Sequence, residues 1–324
     1  MVMQRFVTTI VLACILSSSY GQKTLYGKVV SDKSGDPLPY VNIGIQGTGT
    51  GTLSNRDGTF TITVPKELSE KQVVFSYIGY QQQQIMISKV EEKHAMVVRL
   101  SEAPQKLQPV IVESEKLKHF NKQVGNKYDE SSMVVTDSVS AGSEYAMFFE
   151  INQEQAPLYI HEISFKVSFN TMKTLKARAH IYDAFPSNGL PGEELLTSNQ
   201  IITSQKKHSW VKFTFEEAIE VNSDFFIAIE WIFDQLDRQD IYASYHAFRK
   251  KHPELITERT AVIDGKTVTY EDFGGHLHVG WSIACTSNPT VLQDEKAYIR
   301  YNSFGSWAAA AAIPAIRTRI STRP

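Results

Sequence analysis

The sequence predicts an all-β protein made of two antiparallel β-sandwiches. Three observations carry that expectation. Apolar and polar residues alternate in short runs such as Phe60, Ile62 and Val64, the period of a half-buried strand. Turn residues punctuate the first hundred positions roughly every 8–12 residues, the spacing of a sandwich. The chain has 324 residues, enough for two units, with 42% hydrophobic and 21% charged residues to build their cores. A net charge of -2 leaves no basic face for a phosphate backbone, so no nucleic-acid partner is expected.

Residues 1–21 read as an export signal. Arg5 supplies a positive start, Phe6 to Leu16 an apolar run, and Ser17 to Gly21 a small, polar exit. The run is shorter than the ~20 residues of a spanning helix, so the mature chain is expected to have no transmembrane span. Lipoprotein processing at Cys14 is the alternative, which Ala13 fits well and Leu12 poorly. Cleavage after Gly21 leaves Cys285 as the single cysteine, with no disulfide to form and the character of a small buried hydrophobe.

The first unit is expected over residues 22–112. Leu25 to Val30 alternates as a strand, and Ser34-Gly35-Asp36-Pro37 turns the chain. Tyr40 to Ile45 is the next strand, followed by the glycine run Gly47, Gly49 and Gly51. Asp57-Gly58 is a tight-turn signal, and the strand through Phe60, Ile62 and Val64 stops at Pro65. Val73 to Ile78, closed by Gly79, then Gln84 to Ser88 and Ala95 to Leu100 complete the series. The glycine run does not read as a phosphate cradle. No Lys follows it as a Walker loop requires, and turn and strand signals follow where a dinucleotide loop would open a helix. No cofactor is expected.

Pro37-Leu38, Val41, Gly51-Thr52, Ser54, Asp57-Gly58, Phe60 and Ile78-Gly79-Tyr80 occur in the order seen in carboxypeptidase-regulatory-like domains, which residues 22–112 resemble. The resemblance implies a prealbumin- or immunoglobulin-like sandwich of seven strands. It also implies export in a Gram-negative bacterium, beside outer-membrane receptors and surface proteins. It implies no peptidase activity and no zinc ligands. A transporter barrel of 22 strands, at roughly 9–11 residues each plus a plug, does not fit in the remainder of the chain after residue 112.

Residues 113–126 are charged and polar and read as a linker, leaving 127–324 for a second, jelly-roll-like sandwich. Ile163, Phe165, Val167 and Phe169 share one strand face; Ala177, Ala179 and Ile181 alternate with Arg178, His180 and Tyr182; Val211, Phe213 and Phe215 alternate with polar neighbours. Asp224 to Phe233 is a nearly continuous apolar run, read as a central strand buried on both faces. Ala308 to Ala312 reads as a loop or one helical turn before a last strand, Ala315 to Ile320. This half resembles uncharacterised C-terminal regions of exported proteins with the same first domain, through "LYIHEISFKV", "KARAHIYDA" and "SFGSW".

Candidate site residues come from the second unit. Glu230 interrupts the apolar run beside Trp231, and a carboxylate there must be paired, hydrogen-bonded or protonated. It is either a ligand-site acid or a structural partner of an arginine, a tyrosine or a backbone amide. Tyr242, Tyr245, Phe248 and Trp281 are candidates to stack on a sugar ring, though aromatics in β-proteins more often fill cores. His276 and His278, two apart on an expected strand, put both rings on one face as a metal pair would need; the plainer reading is a solvated face. Asp137-Ser138-Val139 has the form of a periplasmic O-glycosylation acceptor. No G-x-S-x-G elbow is present. The favoured reading is a non-catalytic exported protein of the cell envelope, a binding or scaffold module for a glycan or a surface protein. The alternative is a hydrolase, glycan- or peptide-directed, with two close carboxylates on the second sandwich.

Overall fold

The computed structural model describes residues 22–91, 94–103, 120–126, 132–133, 142–184, 188–263, 266–273 and 276–324. The expected signal segment, Cys14 and Asp137-Ser138-Val139 lie outside them.

The chain is all-β and forms two sandwiches. The first holds β1 (Gln22–Ser31), β2 (Asn42–Gly44), β3 (Gly51–Leu53), β4 (Thr59–Pro65), β5 (Gln72–Ser76), β6 (Gln83–Met86) and β7 (Met96–Leu100). One sheet runs β4-β1-β7 and the other β3-β2-β5-β6. All pairings are antiparallel except β1 with β7. The pattern that predicted strands also selects their faces: Phe60, Ile62 and Val64 of β4 are buried while Thr61 and Thr63 are exposed. They meet Val41, Ile43, Phe75 and Val98 in a core of their own.

The second sandwich contains β8 (Asn121–Gly125), β9 (Ser132–Met133), β10 (Glu144–Phe149), β11 (Leu158–Asn170), β12 (Leu175–Ala184), β13 (Pro191–Glu194), β14 (Gln200–Ser204), β15 (Trp210–Val221) and β16 (Phe225–Trp231). Helix α1 (Gln235–Lys251) and the hairpin of β17 (Thr257–Ile263) and β18 (Lys266–Asp272) come next. The chain ends with β19 (Trp281–Thr286), α2 (Pro289–Asp294), β20 (Ala297–Arg300), β21 (Ala308–Ala309), β22 (Ile313–Pro314) and β23 (Ile316–Ser321). The front sheet runs β13-β12-β16-β10-β20-β21, with β14 also on β12. The back sheet runs β22-β19-β11-β23-β8, with β15 on β11 and β9 on β19. Ile227, Ile229 and Trp231 of β16 pack with Phe165, Val167 and Trp281 in the larger core. All seven residues of β16 are buried, as its continuous apolar run implies.

Three segments depart from expectation. Residues 235–251 form a helix, started by a reciprocal cap between Asp234 and Asp237 and followed by Pro253. Asn121–Gly125, whose polar composition suggests a linker, is an edge strand paired with β23. Ala308–Ala309 pairs with β20 instead of forming a loop or a helical turn.

The sandwiches are docked through the loops of the glycine run. Gly47 donates its N–H to the Phe304 carbonyl (2.8 Å), and Asn302 Nδ2 donates to the Thr48 carbonyl (3.1 Å). Asn199 Nδ2 donates to the Ile78 carbonyl (2.8 Å), and Arg238 Nη1 to Thr52 Oγ1 (3.1 Å). The contact is too close for side chains at two glycines. A Cβ on Gly44 would lie 2.6 Å from the Phe304 ring and 2.9 Å from the Thr50 carbonyl oxygen. A Cβ on Gly79, where φ is +86°, would lie 2.6 Å from the Thr197 carbonyl oxygen. The glycines therefore hold one sandwich against the other.

Candidate functional site

The outer face of the front sheet carries a row of charge. Strand register aligns Arg178 on β12 with Glu230 on β16, Glu230 with Glu144 on β10, and Glu144 with Arg300 on β20. Because alternate residues share a face, the next rung places His180 beside Ala228, and the one after places Tyr182 beside Phe226. Two carboxylates opposite each other would repel. Here each has an arginine: Arg178 Nη1 donates to Glu230 Oε2 (2.9 Å), and Arg300 Nη2 to Glu144 Oε1 (2.6 Å).

His180 ties the acids together. Its Nε2 lies 2.9 Å from Glu230 Oε2 and its Nδ1 2.5 Å from Glu194 Oε2. Burial disfavours the imidazolium, but the charges of Glu144 and Glu194 and the bonds to Glu194 and Glu230 raise its pKa to about 10. Both ring nitrogens are thus donors at neutral pH. Burial also pushes Glu144 upward, but Arg300, His180 and the Tyr182 hydroxyl (2.8 Å) outweigh it and hold its pKa below the usual value. Three carboxylates face three cations, and the cluster is balanced. The first sandwich closes its other side: Arg178 Nη2 donates to the Tyr40 carbonyl. With the Asn42 amide nitrogen turned to Glu230 Oε1 (3.0 Å), its oxygen accepts from Arg178 Nη1 (2.9 Å).

A cleft of about 260 Å3 opens beside this cluster, between the two sandwiches. Tyr77, Gly79 and Tyr80 form its wall on the first sandwich; His180, Tyr182, Glu194 and Arg300 line the second. The rings of Tyr77 and Tyr80 lie 5.4 Å apart, and neither hydroxyl has a partner among the described residues. The Arg300 guanidinium lies near two aromatic rings, 4.4 Å from the Trp307 ring centre and 5.4 Å from that of Tyr182, and these two rings meet edge to face at 71°.

Ligand atoms of Glu144, His180 and Glu230 lie within 4.8 Å of one another, the geometry of a metal site. The chemistry does not fit a cation. Both imidazole nitrogens are engaged with carboxylates, and two guanidinium groups already occupy the acids.

Of the residues singled out in the sequence, Glu230 stands in this cluster as a partner of Arg178 and His180, wholly buried. Trp231 and Trp281 stack at 5.1 Å in the core, 0% and 1% exposed, with no ring face open to a ligand. Tyr242, Tyr245 and Phe248 lie on α1, not on a strand; Tyr245 and Phe248 pack on Phe273 at 5.0 and 5.8 Å, and Tyr242 is 43% exposed. His276 and His278 do not share a strand face. The strand starts only at Trp281, after Gly280 bends the chain with φ +88°, and His278 rests on Phe169 at 5.4 Å. Arg178, His180, Tyr182, Glu194 and Arg300 escaped the sequence reading. The available signal was the alternation of Arg178, His180 and Tyr182, which looks like an ordinary solvated strand face.

Comparison with known proteins places the first sandwich. Residues 25–112 match the family model described as CarboxypepD_reg-like domain, so this part of the chain is a domain of that family. Over 66 residues the chain is 39% identical to TonB-dependent receptor P3 of Formosa agariphila, a match of 20% of this chain and 6% of the receptor. Over 73 residues it is 34% identical to TonB-dependent receptor SusC of Bacteroides thetaiotaomicron, 22% of this chain and 7% of that one. The chain thus spans under a tenth of the length of these relatives. A solved structure of the cysteine protease and lectin-like domains of Cwp84, a surface layer associated protein of Clostridium difficile, overlaps 93% of this chain and 63% of its own, at 9% identity and a TM-score of 0.31. Among the described residues no helix is long and apolar enough to cross a membrane.

Proposed function

We propose that the protein is a non-catalytic binding module of the cell envelope that holds a glycan in the cleft between its sandwiches. One observation carries this reading. The acids are bonded to cations, Glu194 of the cleft lining to His180 as well as Glu144 and Glu230 behind it, while the rest of the cleft presents tyrosine rings and Arg300. Tyrosines offer an apolar face to a sugar ring and a hydroxyl to its edges. Catalysis would need a carboxylic acid or base free to exchange a proton with substrate. Glu144 and Glu230 are fully buried, and His180 is held protonated.

A surface protein is the other ligand class for the same cleft. Export rests on the signal-like residues 1–21, and the envelope on a domain type shared with the two receptors. The test is a glycan array on the intact mature chain, with metal analysis and a product assay on every glycan that binds. Retention without product supports the proposal. An array without a hit sinks the glycan reading, and cell fractionation that leaves the chain in the cytoplasm sinks the envelope reading. The convergence of Glu144, Glu230 and His180 favours a hydrolase as second reading. Product formation that Glu230→Gln abolishes, in a variant that still folds, would establish it.

A further inference from the structure

We infer that the cleft selects acidic sugars, with Arg300 receiving a carboxylate of the ligand. This rests on the glycan reading above and narrows it to a class. Arg300 spends one nitrogen on the protein: Nη2 donates to Glu144 Oε1 and, at 2.7 Å, to the Tyr182 hydroxyl. Its Nε is buried with no hydrogen-bond partner, and Nη1 donates to none of the described residues. A guanidinium has five N–H donors in a planar fork, so most of this one is uncommitted. Nε is sealed from solvent, so the donor that Arg300 offers to a ligand in the cleft is Nη1, beside the Nη2 already bonded to Glu144 and Tyr182.

The form of that acceptor is set by the surroundings. The Nη2 bonds to Glu144 and the Tyr182 hydroxyl, with the Trp307 ring 4.4 Å away, restrict how the guanidinium can turn. A planar two-oxygen group matches a fixed fork better than a tetrahedral one. Glu144, Glu194 and Glu230 are already matched by Arg178, Arg300 and His180, so no surplus negative charge stands at the cleft to repel an anion. On the wall of the first sandwich, Tyr77, whose ring carries the Arg178 guanidinium at 5.7 Å, and Tyr80 supply aromatic surface and two hydroxyls without partners among the described residues, which suit a pyranose. At about 260 Å3 the cleft is smaller than the roughly 300–1,000 Å3 of sites for drug-sized ligands, and matches one sugar unit.

The test is calorimetric titration of the intact mature chain with three oligosaccharides of equal length: galacturonate, galactose, and galactose 6-sulfate. The expected result is at least tenfold tighter binding of the galacturonate than of the neutral sugar. Arg300→Lys, which keeps the charge and loses the planar fork, should cut that preference several-fold. If Arg300→Lys does not fold, the double variant Arg300→Met with Glu144→Gln, which removes both charges of the pair, carries the same expectation. Equal binding of neutral and uronate sugars overturns the inference and leaves the glycan reading standing. Tighter binding of the sulfate than of the uronate overturns the carboxylate assignment. Undiminished preference in either folded variant overturns the role of Arg300. Failure of all three sugars, joined to an empty array, overturns the glycan reading and this inference with it.

Discussion

Among single residues, the row Arg178-Glu230-Glu144-Arg300 decides most. Removing one member of a buried pair strands the other's charge at a cost of roughly 3–5 kcal/mol. Arg178→Met should therefore lower stability in urea by about that amount, and Arg178→Met with Glu230→Gln by clearly less; equal losses would show that the pair is not coupled. His180 gives the row a pH signature. Its folded pKa, about 10, lies above the 6.5 of the free side chain. Its contribution is complete below 6.5 and is lost as pH rises through 10. Glu144 has the opposite sign, its stabilisation being present above 4.5 and lost as the solution becomes more acid. The melting temperature should thus be highest between about 4.5 and 6.5 and fall towards pH 10. The alkaline fall should shrink in His180→Gln, and an unchanged slope would sink the assignment. Glu230 was legible in the sequence as an acid that must be paired. Its partners were not, because spacing within a strand does not say which strand lies beside it.

At the scale of elements, α1 shows a signal present but overridden. Asp234 and Asp237 at the start, Arg249, Lys250 and Lys251 at the end, and Pro253 beyond are ordinary helix boundaries. Only Ile241 is buried along the helix, so the apolar period that identifies a helix is faint, and the flanking alternation suggests more strand. The cap is the vulnerable point. Asp234 accepts from the N–H groups of Leu236 and Asp237, both at 3.1 Å, and its carboxylate also binds Lys176 at 2.8 Å. Asp234→Ala should cost about 2 kcal/mol, the upper end for a lost cap because an ion pair goes with it. Urea unfolding measures this, and a loss below about 0.5 kcal/mol would show the cap to be idle. The edge strand at 121–125 was hidden for a different reason. Its buried partner surface belongs to β23, almost 200 residues away in the chain, and its own residues are polar.

Over the whole molecule, the first sandwich was readable because its turn residues recur in a fixed order, and its docking was not, because an interface leaves no period in the sequence. Yet the docking explains Gly44, just before the glycine run, and Gly51 within it, whose Cβ would lie 3.2 Å from Asn302, better than a turn alone does. Gly44 has no room for a methyl group, caught between the Phe304 ring and the Thr50 carbonyl, whereas a Cβ on Gly47 meets nothing within 4 Å. The two positions separate two effects. Gly47→Ala, where φ is +68°, strains the backbone without touching the second sandwich. Gly44→Ala pushes the sandwiches apart at the rim of the cleft, and overpacking of this kind costs roughly 1–3 kcal/mol. The buried row bonds to Tyr40 and reaches Asn42, so both sandwiches should unfold in one calorimetric transition in the unmodified chain. Gly44→Ala should lower that transition by several degrees, at roughly 2–4 °C per kcal/mol, and broaden or divide it. It should also weaken binding at the cleft, since Tyr77 and Tyr80 shift with the first sandwich. Gly47→Ala should lower the transition without dividing it and leave binding intact. Two well-separated transitions in the unmodified chain would mean that the sandwiches fold independently, and the cleft would then be no fixed site.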